Sequence, residues 1–285
     1  MESTIQQSQN TVKRILYATD FSPQSDVAFS YASALARRYG AKISAVHVIS
    51  ISPLQNASPT QAWSAVVAQA VREAQASLAL REPGWKEVVH ESSIRRGDTW
   101  AELSKVVCEE HIDMIVVGTH GRTGVSKALL GSVAEKIFRH AQCPVLTIGP
   151  NVCGEPESVA NLHTILYPTD FSVDSLAALP YAISLARQDQ ARLYFLHVMG
   201  NRDQDEVSLK ARLQNLIPQD EKLFCEPKIF LQFGQAAPAI LEMAEELAVD
   251  LIVLGPRKQS GLPGTMGTAY TVVTQALCPV LTVRG

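Results

Sequence analysis

The sequence contains one domain pattern twice, and this repeat constrains the fold more than any other feature. The segment RILYATDFSPQSDVAFSYASALARRYGAKISAVHV, which begins at Arg14, returns from Thr164 as TILYPTDFSVDSLAALPYAISLARQDQARLYFLHV. Further along, RRGDTWAELSKVVCEEHIDMIVVG pairs with LQFGQAAPAILEMAEELAVDLIVLG, and CPVLTIGP pairs with CPVLTVRG. Because all three pairs keep the same order in both halves, we infer that a whole domain is duplicated.

The boundary between the two copies is predicted in GPNVCGEPESVAN, which is rich in Gly, Pro, Asn and Glu and has little apolar pattern. A chain of 285 residues is long enough for two domains of ordinary size. We therefore expect one domain over residues 1–150 and a second over residues 151–285.

Each half alternates short β-branched runs with longer helical patterns. In the first half, strands are predicted at Lys13–Thr19, Lys42–Val48, Glu87–Arg95, Asp113–Gly118 and Pro144–Ile148. The segment SDVAFSYASALARRY has apolar residues at helical spacing and is followed by Gly40, a typical stop signal. Strands separated by helices predict right-handed βαβ units. We therefore expect an α/β fold of two doubly wound domains, each a five-stranded parallel sheet flanked by helices.

Composition and charge exclude several classes of protein. Hydrophobic residues make up 46% of the chain and charged residues 19%, which is typical of a globular protein and not of a disordered one. The net charge is −3 without a basic cluster, which argues against a nucleic-acid partner. The polar start MESTIQQSQN lacks the features of a secretory signal, and no apolar run reaches the length of a membrane span. We expect no membrane association and a cytoplasmic location.

The cysteine pattern favours neither a disulfide framework nor a zinc site. The chain has five cysteines with no close pair: Cys108, Cys143, Cys153, Cys225 and Cys278. We expect reduced thiols. Cys143 and Cys278 each precede Pro-Val-Leu-Thr and are expected to be buried as small apolar side chains.

Two places are predicted to hold a ligand, because ligands of open parallel sheets bind beyond the carboxyl ends of the strands, where the strand order reverses. One is the turn after the first strand, YATDFS, with its repeat YPTDFS. The other is the loop after the fourth strand. In that loop Gly118 is followed by two residues, Gly121, nine residues and then Gly131-Ser132 at the start of a predicted helix.

The loop after the fourth strand has the residues that a phosphate site needs. Glycines let backbone amides approach a phosphate, the helix start offers N–H groups, and Ser132 adds a hydroxyl. Arg122 and Lys127 supply positive charge, and His120 is a further candidate for contact with a phosphate. The spacing fits neither the P-loop nor the Rossmann fingerprint. On spacing alone, a connecting loop with glycine turns and a Ser N-cap stays an open alternative.

Asp20 follows the first strand, where a carboxylate could accept hydrogen bonds from a ribose or a base amine. Turn chemistry is an equal alternative, because Ser22-Pro23 is typical of a helix start and Asp170 recurs in the second TDFS. His47 and His197 occupy equivalent positions in apolar strands, which favours packing over ligation. Neither metal-ligand spacing nor a Gly-x-Ser-x-Gly elbow is present, so no metal and no catalytic residue is predicted.

These segments together resemble the universal stress protein family. The resemblance rests on ILYATDFSPQSDVAFSYASALA, DMIVVGTHGRTG and LLGSVAEKIFRHAQCPVLTI, and it returns in the second half, so that it covers nearly the whole chain. The family's nucleotide motif (Gly, two residues, Gly, nine residues, Gly-Ser/Thr) is matched in full by four residues of the first half: Gly118, Gly121, Gly131 and Ser132.

The resemblance implies a strand order of 3-2-1-4-5 and ATP as the ligand, alone or with Mg²⁺. It further implies that the glycine loop holds the triphosphate and that Asp20 holds the adenosine, with the backbone around Val46–Val48 near the adenine. Ala18 stands where many relatives have another small or apolar residue, which leaves these expectations unchanged.

The second half departs from the motif. Gly255 is present, but Lys258 stands where the second glycine belongs, and Gly267-Thr268 arrives one residue early. Pro256 and Pro263 remove amide donors that a phosphate could use. These departures argue against nucleotide binding there, and whether the second half binds any ligand stays open.

Three functions of different classes remain. The leading hypothesis is an adenine-nucleotide-binding stress protein without enzymatic activity, with ATP in the first domain. The second is a slow ATPase or adenylyl-transfer enzyme, for which the sequence offers only His120, Arg122 and Lys127 near the phosphates. The third is a nucleotide-free scaffold, whose apolar fifth strands would be edges open to pairing. The resemblance also implies that the two halves pack as an internal pseudo-dimer, because dimers of the family associate through the fifth strands, with a homodimer as a further option.

Overall fold

The computed structural model describes residues 12–51, 61–119, 130–200, 205–217, 227–257 and 267–285. Within these ranges, no helix is both long and apolar enough to cross a membrane.

The first half alternates strands and helices as the sequence predicts. Its strands are β1 (Arg14–Ala18), β2 (Lys42–Ser50), β3 (His90–Gly97), β4 (Met114–Gly118) and β5 (Val145–Ile148). Its helices are α1 (Pro23–Tyr39), α2 (Gln61–Arg81), α3 (Thr99–Glu109) and α4 (Ser132–His140).

The second half repeats this order. Its strands are β6 (Thr164–Pro168), β7 (Arg192–Met199), β8 (Lys228–Phe233), β9 (Leu251–Leu254) and β10 (Val280–Thr282). Its helices are α5 (Val173–Ala177), α6 (Leu179–Asp189), α7 (Glu206–Gln214), α8 (Ala236–Glu246) and α9 (Thr268–Gln275). Together α5 and α6 occupy the place of α1. The break lies beside Pro180, which lacks the N–H that a continuous helix would use.

All ten strands form one sheet in the order β3-β2-β1-β4-β5-β10-β9-β6-β7-β8. Each half therefore has the order 3-2-1-4-5, with parallel pairing throughout. The halves join where β5 pairs antiparallel with β10. The apolar fifth strands are thus not open edges, as the scaffold hypothesis assumed, because each covers the other. This arrangement fits an internal pseudo-dimer, and β3 and β8 are the edges of the described sheet.

Local signals in the sequence set the ends of α1. The Ser22 side chain accepts a hydrogen bond from Ser25 N–H, and Pro23 occupies the first helical position. At the other end, Gly40 adopts the left-handed conformation (φ 63°) and donates its N–H to the Ala36 carbonyl. Both ends lie where the sequence predicts them.

The third strand lies later in the chain than predicted, at His90–Gly97 instead of Glu87–Arg95. A 3₁₀ turn over Glu82–Trp85 continues beyond α2, and Val88 N–H bonds back to the Trp85 carbonyl at 3.2 Å. The Trp85 ring is buried and stacks on Phe29 at 4.2 Å. Packing of this indole keeps the chain turning before the strand begins.

One aspartate in each half fixes the start of the first strand of that half, a role that the sequence reasoning missed. Asp113 Oδ2 accepts from the N–H groups of Lys13 and Arg14 at 2.8 and 2.9 Å. Asp250 does the same for His163 and Thr164 at 2.7 and 2.8 Å. The equivalent spacing of these aspartates ahead of MIVVG and LIVLG is the signal that could have found them.

Candidate functional site

The TDFS turn after β1 is held by hydrogen bonds of its own side chains. Thr19 Oγ1 accepts from Phe21 N–H at 3.0 Å and lies 3.1 Å from Ser25 Oγ. Phe21 adopts a left-handed conformation with φ of 63°. The buried Tyr17 hydroxyl donates to the Ser25 carbonyl at 2.7 Å. This network fixes the direction in which the chain leaves the carboxyl end of β1.

Asp20 takes part in this turn, because its Oδ1 accepts from Ser22 N–H at 3.0 Å. Asp170 makes the same contact with Ser172 N–H at 2.9 Å in the second half. The turn role proposed for the repeated aspartate is therefore present in both halves. A carboxylate has two oxygens and about four acceptor sites, so the turn bond does not exhaust its capacity for a ligand.

The start of α4 is a helix N-terminus without a side-chain cap. Gly131 is the N-cap, and Ser132 is the first helical residue. The alternative in which Ser132 caps the helix is therefore wrong. The Gly131 N–H donates to the Thr119 carbonyl at 2.6 Å, so this amide closes the loop instead of facing a ligand. The amides that follow it lie at the positive end of the helix dipole.

Five of the predicted site residues surround one cavity of about 180 Å³ at the carboxyl ends of β1, β2 and β4. They are Asp20, Val48, Gly118, Gly131 and Ser132. The other four predicted residues, His120, Gly121, Arg122 and Lys127, lie outside the described residues. Among the described residues, no group of three or more His, Cys, Asp or Glu side chains could hold a metal ion.

The cavity also has walls that the sequence reasoning missed. Thr99 and Leu103 of α3 line it, together with Ser25 of α1. Thr99 follows the carboxyl end of β3, an edge strand, so the rule that selects the point where the strand order reverses does not include it.

Gly118 is required by a close approach of two backbones. A Cβ at this position would lie 3.0 Å from the Gln24 carbonyl oxygen of α1. At Gly255, its counterpart, a Cβ would overlap the Asp174 carbonyl oxygen. In each half, this glycine therefore allows the helix that follows the first strand to pack closely against the end of the fourth strand.

The two strand histidines pack as expected. His47 Nδ1 lies 2.8 Å from the Thr19 carbonyl oxygen, and its ring stacks on Phe21 at 4.4 Å. His197 Nδ1 lies 2.8 Å from the Thr169 carbonyl oxygen in the same way. Each histidine thus ties β2 or β7 to the neighbouring turn.

The second half has a larger and differently charged cavity at the equivalent place. Its volume is about 700 Å³. The Asp170 carboxylate that lines it forms an ion pair with Arg257, with 2.5 Å between Oδ2 and Nε. Burial by itself would raise the pKa of Asp170. Hydrogen bonds from Ser172 and Ser175 and the charge of Arg257 outweigh this effect and hold the pKa below its ordinary value.

The four described cysteines are free thiols. Cys278 is buried, as predicted, and burial raises its pKa to about 12. Cys143 is half-buried instead of fully buried, and burial raises its pKa to about 11. Cys108 and Cys153 are exposed. Cys225 lies outside the described residues.

The fold and the position of the cavities define a tandem doubly wound α/β protein with a cavity at the carboxyl ends of the strands in each half. The sequence model of the universal stress protein family matches this chain twice, over residues 11–149 and 161–284. The chain therefore belongs to the universal stress protein family.

Individual relatives agree with this assignment. A universal stress protein of Methanocaldococcus jannaschii is 30% identical over 151 residues, which cover 52% of this chain and 88% of that protein. A putative universal stress protein of Staphylococcus aureus is 30% identical over 146 residues, covering 48% of this chain and 84% of the relative. The crystal structure of a universal stress protein from Archaeoglobus fulgidus aligns with a TM-score of 0.72 at 21% identity, covering 97% of this chain and 99% of that one. The structural likeness spans both halves and shows the shared tandem fold.

Proposed function

We propose that the protein binds one adenine nucleotide, ATP, in its first half and acts in a stress response without catalysing a reaction. One observation carries the proposal. Five residues selected from the glycine motif, the strand-end rule and the family resemblance, which are far apart in the chain, surround a single cavity at the carboxyl ends of three neighbouring strands.

The chemistry of the described walls suits a nucleotide. Asp20 offers carboxylate oxygens to a ribose or base amine, and Val48 offers apolar contact with a base. The N-terminus of α4, capped by a glycine, offers amide donors and a positive dipole to a phosphate, next to the Ser132 hydroxyl. Arg122 and Lys127 are proposed from the sequence to neutralise further phosphate charge. Mg²⁺ would add to this neutralisation where it accompanies ATP.

The volume of the cavity limits how much of a nucleotide it can enclose. Small-molecule sites usually enclose roughly 300–1,000 Å³, whereas this cavity has about 180 Å³. A nucleotide would therefore fill it with its nucleoside part and extend its phosphates across the start of α4.

The other functions stay alternatives to this proposal. A slow ATPase or adenylyl-transfer enzyme would turn over the nucleotide bound in this cavity, and a scaffold would bind none. We further propose that the chain divides into two domains near residue 150. In each of these functions, the two domains would pack together as an internal pseudo-dimer. The cytoplasmic location and the homodimer stay predictions from the sequence.

The test is native mass spectrometry followed by calorimetric titration with ATP, using a matched pair of variants from the two halves. We expect one nucleotide per chain. Asp20→Asn should weaken ATP binding roughly tenfold, because a charge-assisted hydrogen bond is lost. Asp170→Asn, the same change in the second half, should leave ATP affinity unchanged. Ser132→Ala and Thr268→Ala form a second matched pair with the same expectation.

Phosphate release measured on the same samples separates the alternatives. Steady turnover that is lost on Lys127→Ala would identify an ATPase and contradict the non-enzymatic proposal. Failure of ATP to bind at millimolar concentration would remove the nucleotide proposal and leave the scaffold. Two nucleotides per chain would show that the second half also binds ATP.

A further inference from the structure

The cavity of about 700 Å³ in the second half is built by both domains. Its walls include the carboxyl ends of β6, β7 and β9 and the start of α9. A further wall comes from the last turn of α4 in the first half, with Phe138, Arg139 and His140. The cavity of the first half, by contrast, is lined by described residues of that half alone. The second cavity is therefore a site between domains and not a copy of the first.

Two features make this cavity unsuitable for the proposed mode of nucleotide binding. The Asp170 carboxylate is already paired with Arg257. Pro256 has no N–H to offer to a phosphate.

The lining of the cavity combines an apolar surface with an excess of positive charge. Leu196, Val198 and Ile240 are among its apolar walls. Its charged walls are three arginines and a single carboxylate: Arg139, Arg257, Arg284 and Asp170. Large apolar area together with a few placed polar groups is typical of sites for small organic molecules, and the volume falls within their usual range of roughly 300–1,000 Å³.

Arg284 is the arginine whose surroundings most favour a bound anion. It is half-buried, and its Nε and Nη2 both donate to the Phe138 carbonyl, at 3.2 and 2.7 Å. Arg139 is paired with Glu135, and Arg257 with Asp170. Among the described residues, no carboxylate forms an ion pair with Arg284, although the charge of the Asp174 carboxylate acts on it from a greater distance. A partly desolvated guanidinium that bonds only to a neutral carbonyl gains most from an anionic partner.

We propose that this interdomain cavity binds a small organic anion with an apolar body, of the aliphatic or aryl carboxylate class. The carboxylate lies toward Arg284, and the apolar body lies against Leu196, Val198 and Ile240. The site is distinct from the one proposed for the nucleotide, because the two cavities have no lining residue in common.

The experiment uses decanoate as the probe, below its micelle concentration, with the full-length protein in a calorimeter. Decylamine, which has the same chain length and the opposite charge, is the matched ligand control. We expect one decanoate per chain and no binding of decylamine. Arg284→Met should weaken decanoate binding roughly tenfold, the value of one charge-assisted hydrogen bond. Arg72→Met should leave decanoate binding unchanged, because Arg72 is an exposed residue of α2 whose side chain bonds to Gln69 and lies outside the cavity.

A second variant covers the outcome in which Arg284→Met does not fold. Ala236→Trp places an indole at the start of α8, inside the cavity, and should abolish decanoate binding. Ala101→Trp, on the exposed face of α3, should not. The proposal is overturned if decanoate does not bind, if decylamine binds as well as decanoate, if neither cavity variant weakens binding, or if ATP displaces decanoate from this site.

Discussion

The Tyr270 hydroxyl of α9 accepts a hydrogen bond from the backbone N–H of Leu130 at 2.9 Å. Leu130 directly precedes Gly131-Ser132 of the glycine motif, whereas Tyr270 belongs to the other half and lines the larger cavity. Both residues are buried. One tyrosine of the second domain therefore helps to hold the segment that leads into the candidate phosphate site of the first.

Removal of this hydroxyl should affect the first half. Tyr270→Phe leaves the buried Leu130 N–H without its partner and should destabilise the protein by about 1–3 kcal/mol. It should also weaken ATP binding, because the start of α4 loses a fixed point. Urea unfolding and ATP titration are the measurements. Tyr194→Phe is the control, since Tyr194 is also buried in the second half but its hydroxyl makes no hydrogen bond with a described residue. Equal effects of the two changes would contradict the proposed link.

The ion pair between Arg38 and Asp189 should contribute strongly to the contact between the halves. Arg38 Nη1 lies 2.7 Å from Asp189 Oδ2, and only 1% of the Asp189 side chain is exposed. Arg38→Met would leave a buried carboxylate without its cation, so we expect a loss of about 3–5 kcal/mol in the free energy of unfolding. Arg37→Met, which removes exposed ion pairs with Glu87 and Glu157, should cost about 0–1 kcal/mol. A small effect of Arg38→Met in urea unfolding would show that water reaches Asp189.

The two strand-end glycines should differ in their tolerance of a methyl group. Gly255→Ala would drive Cβ into the Asp174 backbone and should cost about 3 kcal/mol. Gly118→Ala brings Cβ to 3.0 Å from the Gln24 carbonyl oxygen, and a small shift of α1 should limit the loss to about 1 kcal/mol. Thermal unfolding of both variants measures the difference. A larger loss of stability in Gly118→Ala than in Gly255→Ala would mean that α5 moves away from β9 more easily than α1 moves away from β4.

Stability should fall at alkaline pH because of buried tyrosines. Burial raises the pKa of Tyr17 and of Tyr167 from 10.0 to about 12. A raised pKa in the folded state means that the stabilisation is complete below pH 10 and is lost as the pH rises toward 12. We expect a loss of roughly 2–3 kcal/mol per tyrosine at the end of this range. Urea midpoints measured between pH 10 and 12 test this.

Tyr17→Phe is the variant for that measurement, because it removes the titrating group. It should cost about 1 kcal/mol at neutral pH through loss of the hydrogen bond to Ser25. It should also flatten the alkaline decline. If the double variant Tyr17→Phe/Tyr167→Phe loses as much stability between pH 10 and 12 as the unchanged protein, groups other than these two tyrosines cause the loss.

Thiol reactivity should follow burial. At mildly alkaline pH the exposed Cys108 and Cys153 should react with a thiol reagent first, and Cys278 should react only after unfolding. The pKa of Cys278, raised to about 12 by burial, leaves almost no thiolate in the folded protein. Mass spectrometry of labelled peptides identifies each site. Rapid labelling of Cys278 in the native state would show that α9 opens readily.

Local signals predicted the parts of the fold that depend on neighbouring residues. Ser22 and Gly40 mark the ends of α1 in the sequence as they do in the structure, because caps act over one turn. The third strand was predicted three residues early. Its start depends on where Trp85 is buried against Phe29, and no local pattern contains that contact.

Only part of the candidate site could be predicted, because local patterns identify some of its residues and tertiary contacts place the others. Asp20, Gly118 and Gly131 could be selected from spacing and from the rule for strand ends, and they line one cavity. Thr99 of α3 and Tyr270 of the second half were missed. Their positions beside the site arise from the packing of helices that the sequence pattern does not orient.

The sequence by itself determined that this chain has two copies of one βαβ domain and that only the first keeps the glycine motif, because both are properties of residue order. Only the tertiary structure decided that β5 and β10 join the copies into one sheet. It also decided that α4 of the first half completes a cavity of about 700 Å³ in the second. These features depend on contacts between residues more than a hundred positions apart, which form when two apolar strand edges and the helices beside them bury one another's surface.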